Sequence, residues 1–186
     1  MDFLRNGRPR VVITGLGVVT PMGIIADMWD KLKDGISGIK RLQTINVDHV
    51  PVKIGGEVRD FDPTVYIEYK EARRMGRASQ FAVAAAWMAT KDAGLSIEDL
   101  DRIGERVGVV IGTSLGSHEM SEQATLKYKT SGFKKPNPLA LINSLPNMPA
   151  HYVSRIFRAL GPLNTPSTAC AAGTQSIGYG TDFIRN

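Results

Sequence analysis

Apolar positions along the chain come in two kinds. Short β-branched runs, Val11-Val12-Ile13 and Val107 to Ile111, have glycines close after them and read as buried strands. Longer stretches place apolar residues three or four apart and read as helices. Ala26 to Asp34 carries Met28, Trp29 and Leu32 on one face, and Gly35 stops it. Arg77 to Ala93 is apolar almost all round and closed by Gly94, which predicts a buried helix with Trp87 and Met88 in the core. Ser96 caps a short helix. Residues 118–131 predict a weakly amphipathic helix. Met148 to Leu160 predicts another, with Tyr152, Val153, Ile156 and Phe157 inward and Gly161-Pro162 as its end. Residues 36–64 read as irregular apart from a short strand at Ile54 to Val58. Residues 132–149, with Pro136, Pro138, Pro146 and Pro149, read as an ordered covering loop. An extended run, Leu163 to Thr168, rises to Cys170, and a helix is expected from there to Arg185. Strands alternating with helices point to α/β layers.

Composition narrows the class without deciding it. The 186 residues are 42% hydrophobic and 22% charged, ordinary values for a globular core. The single cysteine excludes a disulfide framework and fits a reducing compartment. The longest apolar run, Phe81 to Ala89, falls short of the ~20 residues a membrane span needs. Met1 to Arg8 lacks the apolar core of a signal peptide. A cytoplasmic location is expected, or an organelle if a transit peptide has been removed. The net charge of +5 matters only where it clusters. No interleaved aromatics or known motif point to nucleic acid.

Charge does cluster between Tyr69 and Arg77. Lys70, Arg73, Arg74 and Arg77, three and four apart, should share one helix face. Such a face is either simply solvated or a docking patch for an acidic partner. Gly15, Gly17 and Thr20 make G-x-G-x-x-T, not the G-x-G-x-x-G of dinucleotide sites, and read as a tight turn. The three histidines, His49, His118 and His151, show no metal-ligand spacing with each other, with Cys170 or with paired acids, and no metal is expected.

Cys170 is the strongest chemical candidate. A thiol at the start of a helix meets the positive end of the dipole and free backbone N–H groups, which favour thiolate. The same groups can hold an oxyanion beside the sulfur. Ala171, Ala172 and Gly173 leave room for a carbonyl to approach. A lone cysteine can equally be a buried, inert one. Thr168 and Ala172 stand where a hydrolase nucleophile elbow has glycines, which disfavours that chemistry.

Thr168-Ala169-Cys170-Ala171-Ala172-Gly173 resembles the nucleophile motif of the β-ketoacyl-ACP synthases, the condensing enzymes of fatty acid and polyketide synthesis. Other stretches match in the same order. Arg10 to Gly23 is similar to the family's opening strand and turn, and Val109 to Gly116 to its second core strand and Gly-rich turn. Asn147-Met148 and Gly161-Pro162 fall where the family has such pairs. The resemblance runs from about residue 9 to Asn186 and is nearest the KAS II-like type. It implies a thiolase-like layered α/β/α fold, of which residues 1–186 form the N-terminal half, incomplete, with the C-terminal half absent.

The resemblance also implies a chemistry. Cys170 would be the nucleophile and supply one oxyanion N–H. Leu115 would line the acyl pocket. Lys70, Arg73, Arg74, Lys134 and Lys135 would dock the acyl carrier protein. The reaction would join an acyl-cysteine to malonyl-ACP with loss of CO₂. No bound cofactor is expected, since the phosphopantetheine is supplied by the carrier protein. The enolate-stabilising histidines come from the family's C-terminal half, so the segment alone should not complete condensation. Leu163 to Thr168 would lie at a homodimer interface, and the isolated segment is expected to expose apolar surface and to aggregate. A chain-length-type partner subunit lacks the nucleophilic cysteine, and a thiolase takes CoA thioesters; both are weaker fits.

Overall fold

The computed structural model describes residues 3–5, 7–132 and 137–186. In order, its elements are β1 (Leu4–Arg5), β2 (Arg8–Pro9), α1 (Ile25–Lys33), β3 (Ile39–Arg41), β4 (Ile54–Gly56), α2 (Tyr69–Ala72), α3 (Arg77–Asp92), α4 (Ile97–Arg102), β5 (Val109–Val110), α5 (Glu119–Ser131), α6 (Ala140–Ser144), α7 (Met148–Ile156), β6 (Leu163–Asn164) and α8 (Ala172–Arg185). β1–β2 and β3–β4 are antiparallel pairs; β5 and β6 run parallel, Val109 opposite Leu163.

The core forms where α3 lies against α7. Val83, Met148, Val153 and Phe157 are buried there, with Trp87 tilted against Phe157 at 5.2 Å between ring centroids. Each such buried side chain stabilises the fold by about 1.5–3 kcal/mol relative to exposure. α7 begins with proline inside its first turn, where a missing N–H costs nothing. α4 carries the expected Ser96 cap, extended to a full capping box with Asp99. The Ser96 N–H and hydroxyl hold the Asp99 carboxyl below the ordinary aspartate range. Leu100, on the inner side of α4, joins the same core.

Several expectations need correction. Val11-Val12-Ile13 is not a buried strand. The segment is unpaired, and Val12 and Ile13 are 67% and 76% exposed. Its glycines hold it against α3 instead. A methyl group on Gly17 would lie 1.9 Å from the Ala85 carbonyl oxygen, and one on Gly15 2.2 Å from that of Ala89. Leu16 N–H donates to Asp92 at 2.9 Å. The Gly-x-Gly pattern is thus a site of close backbone approach. The second strand narrows from Val107–Ile111 to Val109–Val110.

The basic helix ends early, at Ala72, because Gly76 adopts an extended backbone before α3 begins. Glu68 caps α2 by accepting from the N–H groups of Lys70 and Glu71, and the Ala72 carbonyl accepts from Met75 N–H at 3.2 Å and from Gln80 Nε2 at 2.9 Å. Arg77 leaves the basic face. Its guanidinium lies over Phe61 and Phe81 and donates to Val58 O at 2.8 Å; partial burial pushes its pKa down. The proline-rich stretch is not all loop, since α6 lies within it. The short strand foreseen near Ile54 is present and pairs with β3, which periodicity had left irregular.

Candidate active site

Cys170 sits where β6 hands over to α8. It lies in a single 3-10 turn, Ala169–Ala171, one step before α8 rather than within its first turn. Its side chain is exposed, so the inert, buried alternative does not describe it. Ala169 has φ of +50°, the left-handed region. A non-glycine residue there costs about 1–3 kcal/mol, and such strain gathers at functional sites. It turns the chain sharply enough to lift the cysteine clear of the strand.

The surroundings fix that turn and leave the helix end open. Ala171 N–H donates to Thr168 O at 3.1 Å, and Thr168 Oγ1 bonds Gln175 at 2.6 Å. No side chain caps α8. The Ala172 N–H at its start donates to Ala169 O instead, so the 3-10 turn runs directly into the helix and brings Cys170 to its N-terminal, positive end. Behind the turn, Gly112 lies flush on the start of α8, where a methyl group would meet Ala172 O at 2.1 Å. Thr113 N–H donates to Pro166 O at 3.2 Å and Ser167 Oγ to Ser114 O at 3.2 Å. The glycine-rich turn after β5 is thus bound to the cysteine turn, and it carries Leu115, 69% exposed, at its tip.

Lys70, Arg73 and Arg74 are exposed on α2 and the residues after it. Arg73 lies over the Tyr69 ring at 5.6 Å. The Arg74 carbonyl is tethered by Asn143 Nδ2, and Asn143 Oδ1 accepts from Tyr152 OH at 3.0 Å. Burial, with Glu71 nearby, pushes the Tyr152 pKa up. Lys134 and Lys135 lie outside the described residues. His49, His118 and His151 are all exposed, and His118 pairs only loosely with Glu122, at 3.9 Å. Among the described residues no group of three His, Cys, Asp or Glu side chains gathers as a metal site would require. No helix among them is long and apolar enough to cross a membrane.

An apolar cleft of about 730 Å³ opens between the β5–β6 pair and α8, lined by Val107, Val110, Pro162, Ile177, Phe183 and Ile184. Neither Cys170 nor Leu115 lines it. Sequence reasoning missed two polar residues near the site, Ser117 and Glu119. The signal for them was indirect: Gly76 offers α3 no side-chain cap, so its first N–H groups had to find partners elsewhere.

With this geometry in place, the comparisons agree with one another. The family model described as the β-ketoacyl synthase N-terminal domain matches residues 8–186. The chain is 36% identical to 3-oxoacyl-[acyl-carrier-protein] synthase 2 of Synechocystis sp. over 180 residues, 96% of this chain and 43% of that protein. Among solved structures, the ishigamide ketosynthase/chain length factor superposes with a TM-score of 0.86 at 34% identity, covering 96% of this chain and 44% of that one. A type II polyketide ketosynthase, solved with its acyl-carrier protein and bound to the hexaketide, gives 0.79 at 27% identity, with 96% and 48% covered. The chain thus spans less than half the length of these relatives. Its fold is the N-terminal half of the thiolase-like α/β architecture, and the chain belongs to the β-ketoacyl synthase family.

Proposed function

We propose that the polypeptide carrying this chain is a 3-oxoacyl-ACP synthase. The observation that carries the reading is the exposed Cys170, lifted by the left-handed Ala169 to the uncapped start of α8. In the first stage the Cys170 thiolate attacks the carbonyl of an acyl thioester. A C–S bond forms, the carbonyl oxygen gains charge, and backbone N–H groups at the turn, Cys170's own among them, receive it. The intermediate collapses and releases the pantetheine thiol. In the second stage a malonyl thioester loses CO₂, its enolate carbon attacks the acyl-cysteine, and the thiolate returns as a 3-oxoacyl product leaves, two carbons longer. The resemblance draws the two enolate-stabilising histidines from residues beyond this chain, and none of its three exposed histidines is assigned that role.

The partner proposed is an acyl carrier protein, with Lys70, Arg73, Arg74, Lys134 and Lys135 as docking residues. Support comes from the exposed α2 cations and from the related ketosynthase solved with such a carrier. The carrier brings the pantetheine, so no bound organic cofactor is required. A homodimer in the cytoplasm, built through Leu163 to Thr168, completes the reading. The exposed Val12, Ile13, Ile177 and Ile184 form apolar surface that a further part of the same synthase would cover.

The test is to offer acyl-carrier protein and acyl-CoA separately to the full polypeptide and to read intact mass. One acyl group should appear from the carrier protein and be lost in Cys170→Ala. Acylation from CoA alone would favour a thiolase, and none from either would end the reading.

A further inference from the structure

In the turn that carries Leu115, the flanking residues are held by hydrogen bonds and the Leu115 side chain is exposed. Upstream, Thr113 and Ser114 bond Pro166 and Ser167, both at 3.2 Å. Downstream, Gly116 N–H donates to Thr113 Oγ1 at 3.1 Å. Ser117 is fully buried, at 0% exposure, and its Oγ accepts from Ala78 N–H at 3.2 Å. The Glu119 carboxylate accepts from Arg77 N–H at 2.9 Å.

Those two N–H groups open α3, whose own cap position is the side-chain-less Gly76. The caps come instead from the end of the turn, Ser117, and the first residue of α5, Glu119, 39 and 42 positions along the chain. Gly76 allows it: a methyl group there would lie 2.1 Å from Ser117 Cβ. The backbone on both sides of Leu115 is therefore fixed, one side to the cysteine turn and the other to the start of α3. An exposed leucine on a fixed backbone has a set Cα and a free rotamer. That arrangement suits contact with a flexible apolar chain, where a methylene more or less is discriminated by wall position.

We propose that Ser117 and Glu119 are positioning residues for acyl selection: by capping α3 they fix Leu115 relative to Cys170 and so set which acyl length is accepted. The inference rests on the synthase reading above. Removing either cap takes away one of the holds on the downstream side of the turn and lets the wall shift, without touching Cys170 or the α2 cations.

The experiment gives the full polypeptide an equal mixture of butanoyl- and decanoyl-acyl-carrier protein and reads the ratio of the two acyl groups on Cys170 by intact mass. Glu119→Ala should change that ratio by at least about fivefold, with the carrier KM retained. Glu119→Gln, which keeps an acceptor oxygen, should restore it. Ser117→Ala removes only one of the two caps and reads the same ratio should Glu119→Ala fail to fold. A purely structural role would lower both products together; an unchanged ratio in acylated variants overturns the inference and leaves the synthase reading intact. No acylation of the unaltered protein from either carrier overturns both.

Discussion

The α3–α7 interface and the β5–β6–α8 region draw on equally apolar residues and finish differently. Val83 and Phe157 are closed off from water, whereas Ile177, Phe183 and Ile184 of α8 border an open cleft and Val12 and Ile13 face solvent. The closed side is helix on helix. Each helix satisfies its own backbone, so burial needs only a matching face. The open side sets one face of a helix, α8, beside strand-forming residues such as Val12 and Ile13, and strands need ladder partners that lie far away in the chain. Apolarity makes a surface sticky; topology decides whether anything covers it.

The largest effect should separate the two sides directly. Phe157→Ala should cost about 3–5 kcal/mol in urea unfolding, through lost burial and a cavity beside Trp87. Ile13→Ala should stay within about 0.5 kcal/mol in the 186-residue chain. An equal cost at both positions would mean that the open face is covered in solution. The glycines give a second contrast. Gly76→Ala drives a methyl group into Ser117 and should destabilise by about 1–3 kcal/mol. Gly178→Ala on α8, where nothing lies within 4 Å, should stabilise by about 0.5–1 kcal/mol. A loss at Gly178 would instead reveal a close neighbour there.

A third effect, of similar size to that at Gly76, sits where the closed side meets the residues after α2. Tyr152→Phe leaves the buried Asn143 Oδ1 without its donor and should cost about 1–3 kcal/mol, read as a lower melting temperature. The smallest effect is acid sensitivity on α4. The folded-state pKa of Asp99 is depressed, so its contribution is present above the ordinary aspartate value. It is lost as pH falls through the folded value. Asp99→Asn should therefore flatten the loss of stability as pH falls below the ordinary aspartate range; an unchanged acid limb in melting scans would remove Asp99 from that role.

The same division explains what could be read from residues alone. The turn–cysteine–helix unit was legible because its determinants are local: small residues after Cys170 and a helical run behind it. The α4 cap and the α7 core face were legible for the same reason. Leu115 and the proposed docking cations came from resemblance; among the described ones, Leu115, Lys70, Arg73 and Arg74 are exposed. Arg77 was misjudged because helical spacing cannot see Phe61, which approaches from another segment. The strand at Val11–Ile13 was misjudged because a β-branched run states a preference, not a partner. The capping of α3 by Ser117 and Glu119 stayed hidden for want of any local signal beyond a glycine where a cap was due.

The parallel pairing of β5 with β6 has a kinetic consequence. Val109 and Leu163 lie about fifty positions apart, with three helices between them. That loop must close before the pair can form, whereas α3 and α7 can each form locally beforehand. The cysteine turn hangs from the later event. A chain emerging from the ribosome would hold α3 well before it held a reactive thiol in place, so thiol reactivity should serve as a clock for a late step of assembly.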